Sequence, residues 1–293
     1  MSVKVAIQGI NGSFHQQVAH AYFGNDAQIV ACKTFKEVAK QLKKEEADYA
    51  VMAIENSIAG ALIPNYALID THQFHVLGEY FLKISLNFMA LPGQSIEDIT
   101  EVHSHPIALL QCAKFLEKHK HIKVIESSDT AIAAQRIRAG NLHGVAALAG
   151  PTASQMYDLE ILVPEVQSVE SSITRFMILE KESASSSVCT INKASIKFEL
   201  DDTPGSLATV LNVMNNCGLN LTKIQSMPII EKPFQYSFFV DVIFEDYACF
   251  EKARSILEIM TTHFKVLGTY TVAELPVSEI CKNKNKEQAI VLV

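Results

Sequence analysis

The 293-residue chain lacks the features that define several classes of protein. Its net charge of −7 argues against the clustered lysines and arginines of a surface that binds nucleic acid or anionic membranes. No uninterrupted apolar stretch reaches the roughly 18 to 20 residues that span a bilayer, and no basic leader precedes an apolar segment at Met1. We therefore expect a cytoplasmic protein whose partners are small molecules.

Cysteines are few and arginines fewer. The six cysteines lie far apart, without the C-x-x-C spacing of zinc and redox sites or the density of a disulfide scaffold, so we expect them to be reduced. The histidines lack a third ligand at motif spacing, and we predict no metal site. A ligand with carboxylates would also find few guanidinium partners. The four arginines are Arg136, Arg138, Arg175 and Arg254.

The sequence contains two different patterns of strands and helices. From residue 3 to Pro151, short β-branched runs alternate with segments of helical spacing, which predicts an α/β sheet covered by helices. From Ser195 the order becomes strand, helix, strand, strand, helix, strand, which is the ferredoxin-like βαββαβ arrangement. Between them, residues 182–193 form a small polar stretch without period that predicts a linker.

Polar residues follow several predicted strands where each strand ends, and open α/β sheets present groups to ligands there. The residues at these ends are Glu55, Asn56 and Ser57 in AIENSIAG (53–60), and Ser104, His105 and Gln111 in HSHPIALLQC (103–112). Asn56 and Ser57 also fit a plain role as helix caps. These residues alone leave both interpretations open.

The turn QGINGSFHQ lies between a strand and a helix start, so backbone N–H groups at Gly12, Ser13 and Phe14 are free to meet an anion. The turn lacks the full dinucleotide and P-loop patterns. A tight turn in which Ser13 caps the helix explains it without any ligand.

The stretch SSITRFMIL (171–179) places polar residues just ahead of a buried strand. Strand alternation puts Thr174 and Arg175 on opposite faces. Arg175 offers a planar fork that suits a carboxylate. The alternative is a surface cation beside an ordinary β-forming threonine.

Four motifs, taken in order, resemble the prephenate dehydratase family over about residues 3–180. They are G-x-x-G-S-F near the start, ENSIAG, SHP followed by QC, and TRF. TPGSL followed by GLNLTKIQSMP resembles the ACT regulatory domain that such enzymes carry. The resemblance implies two α/β lobes around a cleft, similar to periplasmic binding proteins, and no metal or organic cofactor. The implied reaction converts prephenate to phenylpyruvate, water and carbon dioxide on the route to phenylalanine.

The resemblance also implies domain boundaries. The expected units are a catalytic domain at 1–181 (lobe one at about 1–77 and 165–181, lobe two at about 78–164), the linker at 182–193, an ACT domain at 194–273, and a tail at 274–293 to which we assign no function.

Carried over by motif, Thr174 matches the threonine treated as essential in the family. A hydrogen bond from its hydroxyl to the leaving oxygen would strengthen as negative charge develops there. The other expected site residues are Glu55 as a second catalytic group and, for substrate binding, Ser13, Asn56, Ser57, Ser104, Gln111, Arg175 and Phe176. We expect Arg175 and free N–H groups to hold the carboxylate that stays. Glu55, His105 and a water all remain candidates for the proton donor.

The ACT resemblance implies that L-phenylalanine binds between domain copies of a homodimer or homotetramer. The expected effector site consists of Gly205, Ser206, Leu207, Asn220 and Leu221. The family's E-S-R-P string reads Gln225, Ser226, Met227, Pro228 here, and loss of the charged pair would weaken or alter feedback. In the cleft, His15, Ile107 and Ser172 stand where the family commonly has Ser, Gln and Asn.

Two other functions fit the same residues. A non-catalytic binding or sensor protein would capture a small anion in the cleft without consuming it. An arogenate dehydratase would apply the same chemistry to the amino analogue of prephenate. Turnover of the two substrates distinguishes all three.

Overall fold

Alternating β-branched runs and amphipathic helices build a mixed α/β fold in the computed structural model, which describes residues 2–182, 190–229 and 232–276. Within these residues the strands form three sheets, which we call the sheets of lobe one and lobe two and the C-terminal sheet. No helix in the described part of the chain is long and apolar enough to cross a membrane.

The chain begins with the elements of lobe one. These are β1 (Lys4–Gln8), α1 (Phe14–Phe23), β2 (Gln28–Cys32), α2 (Phe35–Lys43), β3 (Tyr49–Asn56), β4 (Gly60–Ala61), α3 (Ile63–His72) and β5 (His75–Lys83). Side-chain caps set where helices begin: Ser13 accepts from Gln16 N at the start of α1, and Thr34 accepts from Glu37 N at the start of α2.

Lobe two follows without interruption. Its elements are β6 (Asn87–Ala90), β7 (Glu101–Ser104), α4 (Pro106–Gln111), α5 (Ala113–Lys118), β8 (Lys123–Glu126), α6 (Thr130–Gly140), β9 (Val145–Ala149), α7 (Pro151–Tyr157) and β10 (Glu160–Val163). Its sheet has the order β10-β6-β9-β7-β8. The helical segment that follows β7 is divided at Cys112 into α4 and α5.

The chain then returns to lobe one through β11 (Ile173–Glu180), which lies antiparallel between β3 and β5. The sheet of lobe one therefore has the order β2-β1-β3-β11-β5. All of β5 pairs with β11, so residues 78–83 belong to lobe one. The expected boundary at residue 77 cuts through this strand and is corrected to the segment after Lys83.

The last unit is the C-terminal sheet with two covering helices. Its elements are β12 (Lys193–Glu199), α8 (Ser206–Asn216), β13 (Asn220–Pro228), β14 (Tyr236–Ile243), α9 (Tyr247–Met260) and β15 (Thr262–Tyr270). The strand order β13-β14-β12-β15, antiparallel throughout, is that of the predicted βαββαβ arrangement. Of the expected linker and tail, residues 183–189 and 277–293 lie outside the described residues.

The sheet of lobe one is covered on both faces. On one face, Val51 and Phe176 share a core with Phe88 and Leu148 of lobe two. On the other face, Met177 packs in a core with Phe239, Leu267 and Tyr270 of the C-terminal sheet. We call these the cleft face and the back face.

The back-face contact is close. A Cβ built on Gly268 of β15 would lie 2.0 Å from the carbonyl oxygen of Val76 in β5. Only glycine fits there without displacing one of the two strands.

Candidate active site

A cavity of about 180 Å³ opens between lobe one and lobe two on the cleft face. The polar side chains that line it are Gln8, His15, Asn56, His105, Gln111, Asp129, Thr130 and Thr174. The apolar ones are Phe14, Phe35, Ala53, Leu62, Ile84, Leu86, Ile107, Ala108 and Phe176. A mostly apolar concave wall with a few polar groups is typical of a small-molecule site.

Thr174 and Asn56 meet at the wall that lobe one contributes. The Asn56 amide Nδ2 donates a hydrogen bond of 2.9 Å to the Thr174 hydroxyl oxygen. Thr174 is therefore an acceptor in this bond, and its own O–H remains free to donate toward the cavity. The two residues lie directly opposite each other in the pairing of β11 with β3.

The orientation of the Asn56 amide is fixed by its oxygen. Oδ1 accepts from the backbone N–H groups of Ile58 and Ala59, both at 2.9 Å, so the nitrogen must point at Thr174. Gln111 of lobe two also reaches Oδ1, at 3.3 Å. This bond joins the two lobes across the cavity, and a bond from the Tyr157 hydroxyl to the backbone oxygen of Asn11 joins them at a second point.

A β-bulge in β3 brings Asn56 to the cleft face. The register with β11 shifts so that Arg175 pairs with Glu55 and Phe176 with Ala53, which leaves Ile54 as the extra residue. In a regular strand, Ala53 and Asn56 would lie on opposite faces, because they are three residues apart. The bulge lets both line the cavity.

His15 and Phe176 form the inner wall. Their rings meet edge to face with centroids 5.0 Å apart. Burial lowers the pKa of His15 to about 3, so its imidazole is neutral at physiological pH. His15 thus supplies a polar surface without charge.

His105 and Asp129 form the polar wall on the side of lobe two. His105 Nδ1 accepts from Ile107 N at 3.3 Å, which leaves the proton of the neutral ring on Nε2. Burial also lowers the pKa of His105. Asp129 caps α6, and burial raises the pKa of its carboxyl group.

Arg175 lies on the back face, outside the cavity, contrary to our expectation that it binds substrate. Strand alternation turns its side chain away from that of Thr174. Its guanidinium donates to Glu79 at 2.7 Å, to Asp241, and to the Tyr270 hydroxyl at 3.2 Å. Arg175 therefore joins β11 to the C-terminal sheet.

Arg175 is part of a buried network that balances its charges. Lys193 Nζ bonds both oxygens of Glu79, at 2.8 and 2.9 Å, and Ser195 donates to Asp241 at 2.5 Å. Burial by itself would raise the pKa of Asp241, but the charge and hydrogen bond of Arg175 outweigh it and hold that pKa below its ordinary value of 3.8. Asp241 is therefore ionised at neutral pH.

Glu55, expected as a second catalytic group, also faces away from the cavity. Its carboxylate accepts from Lys223 Nζ of β13 at 2.5 Å. The bulge that turns Asn56 into the cleft leaves Glu55 on the back face. This geometry removes Glu55 from the candidates for the proton donor.

The three expected serines take structural positions. Ser13 caps α1, the Ser104 hydroxyl donates to Leu148 O at 2.6 Å, and the Ser57 hydroxyl accepts from Ile173 N at 3.0 Å. None of them is among the described residues that line the cavity. Asn56, Gln111, Thr174 and Phe176 are the expected site residues that do line it.

Sequence reasoning missed Gln8, Asp129 and Thr130 as site residues. Asp129 lies in the short segment between the end of β8 and the start of α6, where it is the N-cap of the helix, so it is close to a strand end, as Asn56 and Ser104 are. This position between a strand and a helix is the sequence signal that could have identified Asp129 as a site residue.

The comparison with known proteins agrees with this geometry. A family model described as prephenate dehydratase matches residues 5–184. Over 282 residues, the chain is 35% identical to an Arabidopsis thaliana protein named arogenate dehydratase/prephenate dehydratase 2, with 92% of this chain and 73% of that protein covered. The chain belongs to the prephenate dehydratase family. The predicted activity and enzyme class are confirmed: it is a carbon–oxygen lyase of phenylalanine biosynthesis that dehydrates and decarboxylates prephenate.

Two solved structures share the fold. A prephenate dehydratase from Arthrobacter aurescens in complex with L-Phe has a TM-score of 0.83 at 22% identity, with 99% of each chain covered. A quorum-quenching acylase also has a TM-score of 0.83, at 24% identity, with 92% of this chain and 98% of that chain covered. At such identities the likeness concerns the fold alone, and it confirms the predicted mixed α/β class.

Proposed function

We propose that the cavity between the lobes is the dehydratase active site and that Thr174 is its catalytic residue. The observation that carries this proposal is the bond from Asn56 to the Thr174 hydroxyl oxygen, which leaves the hydroxyl proton for a ligand. Asn56 acts as a positioning residue, and Gln111 supports it from the other lobe.

The reaction needs alignment more than strong acid or base chemistry. The bond between the ring and its carboxylate breaks, its electrons enter the ring, and the ring hydroxyl departs. One proton converts that hydroxyl to water, while the carboxylate leaves as carbon dioxide. A hydrogen bond from Thr174 to the departing oxygen strengthens as negative charge develops and so stabilises the transition state selectively. His105 Nε2–H or a water remains as the source of the proton.

The cavity wall favours loss of the ring carboxylate. Phe14, Leu86 and Phe176 present apolar surface, and burial keeps His15 uncharged. An anion is poorly solvated against such a wall, so conversion to neutral carbon dioxide is favoured. The N-termini of α1 and α6 take over the role expected of Arg175, because their first N–H groups have no partner within the helix and attract the carboxylate that stays.

We also infer that the βαββαβ unit is an ACT domain that binds L-phenylalanine between two chains. Gly205, Ser206 and Leu207 lie at the start of α8, whereas Asn220 and Leu221 follow its end, about 16 Å away along the helix. One chain therefore does not bring the two sets together, and a second copy would supply the missing half. This favours a homodimer or homotetramer. The cytoplasmic location of the protein stays a prediction.

The first experiment is turnover by the purified full-length chain. Wild type should convert prephenate to phenylpyruvate. Thr174→Ala should lose about 10²-fold or more in kcat, as when an oxyanion donor is removed, and Thr174→Ser should retain most of the activity because it keeps the hydroxyl. An Ala variant as active as wild type contradicts the role of Thr174, and binding without turnover by wild type favours a sensor.

The second experiment measures the binding of L-phenylalanine to the purified chain, together with turnover and sedimentation in its presence. Saturable binding that is lost in Asn220→Ala, with a dimer or tetramer in solution, supports the effector site. A monomer that binds L-phenylalanine with unchanged affinity contradicts the two-chain site.

A further inference from the structure

The charge of the cavity is unusual for a site that receives a dianion. Among the described lining residues there is no lysine or arginine, and Asp129 is the one carboxylate. Burial keeps the imidazoles of His15 and His105 neutral near pH 7. When Asp129 is ionised, the wall thus carries one negative charge and no compensating cation.

One oxygen of Asp129 is used by the protein and the other is left for a ligand. Oδ1 accepts from the N–H groups of Ala131 and Ile132, at 2.8 and 3.1 Å. No described residue donates a hydrogen bond to Oδ2, although Asp129 is buried, with 8% of the residue exposed. The turn at Gly9 presses against this oxygen: a Cβ there would lie 3.0 Å from Oδ2, and the φ of +100° also requires glycine.

A buried carboxylate without a counter-ion is unfavourable unless a ligand brings the cation. Prephenate and arogenate differ only in whether they bring such a cation, because an ammonium group in arogenate replaces the side-chain keto group of prephenate. We propose that Asp129 is a specificity-determining residue that selects arogenate by pairing with its ammonium group, which prephenate lacks. This inference rests on the proposed dehydratase site.

The N-termini of the helices that border the cavity suit the side chain of arogenate, which carries both an α-carboxylate and an ammonium group. Phe14 and Thr130 are the first residues of α1 and α6, and both line the cavity. Because Asp129 caps the N–H groups of Ala131 and Ile132, the N–H of Thr130 stays available for an anion. The α-carboxylate then binds at the helix starts and the ammonium group binds at Asp129 Oδ2.

The test compares kcat/KM for arogenate and prephenate in wild type, Asp129→Asn and Asp129→Ser. Both replacements are good helix caps, so α6 keeps its start while the charge is removed. We expect wild type to favour arogenate by about tenfold or more, and both variants to lose most of that preference, as expected when a polar group that recognises the substrate is removed. Glu126→Gln removes an exposed carboxylate outside the lining and should leave the ratio unchanged.

A binding measurement separates this inference from the proposed function. Calorimetry with Thr174→Ala, with and without Asp129→Asn, gives Kd for both compounds in the absence of turnover. A preference for arogenate that disappears with Asp129→Asn supports the inference. It is overturned if the ratio stays the same in both Asp129 variants, or if both substrates weaken equally, because Asp129 then serves only as a cap. Failure of wild type to turn over either compound contradicts the proposed function instead.

Discussion

The two faces of the lobe-one sheet differ in how they treat charge. On the cleft face, Thr174 and Asn56 are joined by neutral hydrogen bonds in a cavity without basic side chains in the described lining. On the back face, their chain neighbours Arg175 and Glu55 form ion pairs with the C-terminal sheet. The TRF motif therefore contributes Thr174 and Phe176 to the cavity and Arg175 to the contact between units. ENS contributes Asn56 to the cavity and Glu55 to that contact.

This difference separates two meanings of a motif. TRF and ENS each look like a single functional string, but a strand presents successive side chains to opposite faces. One residue of each string, Arg175 or Glu55, contacts the C-terminal sheet behind the residues that line the cavity. Substitutions on the back face should change stability first, and those on the cleft face should change catalysis first.

The largest effect should come from Arg175→Met on the back face. Met has similar length but leaves Asp241 and Glu79 without the guanidinium, and removing one partner of a buried ion pair destabilises by about 3–5 kcal/mol. We expect urea unfolding to show a loss of this size. Arg254→Met, which breaks only exposed pairs within α9, should change stability by about 1 kcal/mol or less. Equal losses in the two variants would contradict a special role for Arg175.

Next in size is Asn56→Asp on the cleft face. The carboxylate still accepts from Ile58 and Ala59, but it cannot donate to Thr174, whose hydroxyl would turn to donate to it instead. We expect kcat to fall about 10²-fold, which corresponds to about 2.7 kcal/mol, and urea unfolding measures separately the stability that the new buried carboxylate costs. A kcat within about threefold of wild type would show that Asn56 does not orient Thr174.

His15→Gln should change how stability depends on pH. The pKa of His15 is about 3 in the folded chain and 6.5 ordinarily, so the unfolded chain binds more protons between these values. Wild type should therefore lose stability as pH falls below 6.5, with a contribution from this group of up to about 1.4 kcal/mol per pH unit. We expect denaturant unfolding from pH 7.5 to 4.5 to show a shallower slope in the variant. Parallel curves would mean that His15 titrates normally.

The smallest effect should follow from Lys223→Met. The pair with Glu55 is partly exposed, with a third of the Glu55 side chain accessible, so its coupling should be about 1 kcal/mol or less. A double-mutant cycle with Glu55→Gln measures it. A coupling energy as large as the loss of stability in Arg175→Met would mean that the Lys223–Glu55 pair stabilises the back-face contact as much as Arg175 does.

The sequence allowed much of this arrangement to be predicted, for identifiable reasons. Alternation places Thr174 and Arg175 on opposite faces, but which face carries the cleft depends on how two other sheets pack. The face of Glu55 could not be predicted, because the bulge at Ile54 leaves no mark in an apolar run. The extent of β5 was equally hidden, since its pairing with β11 joins residues about a hundred positions apart.

The extra residue in β3 has an evolutionary and engineering consequence. Ile54 and Glu55 both occupy the back face, so a shorter chain lacking Ile54 could straighten the ladder and still direct the Asn56 amide into the cleft. The length of this strand is thus adjustable at one point, where catalytic alignment and docking of the C-terminal unit can be varied separately.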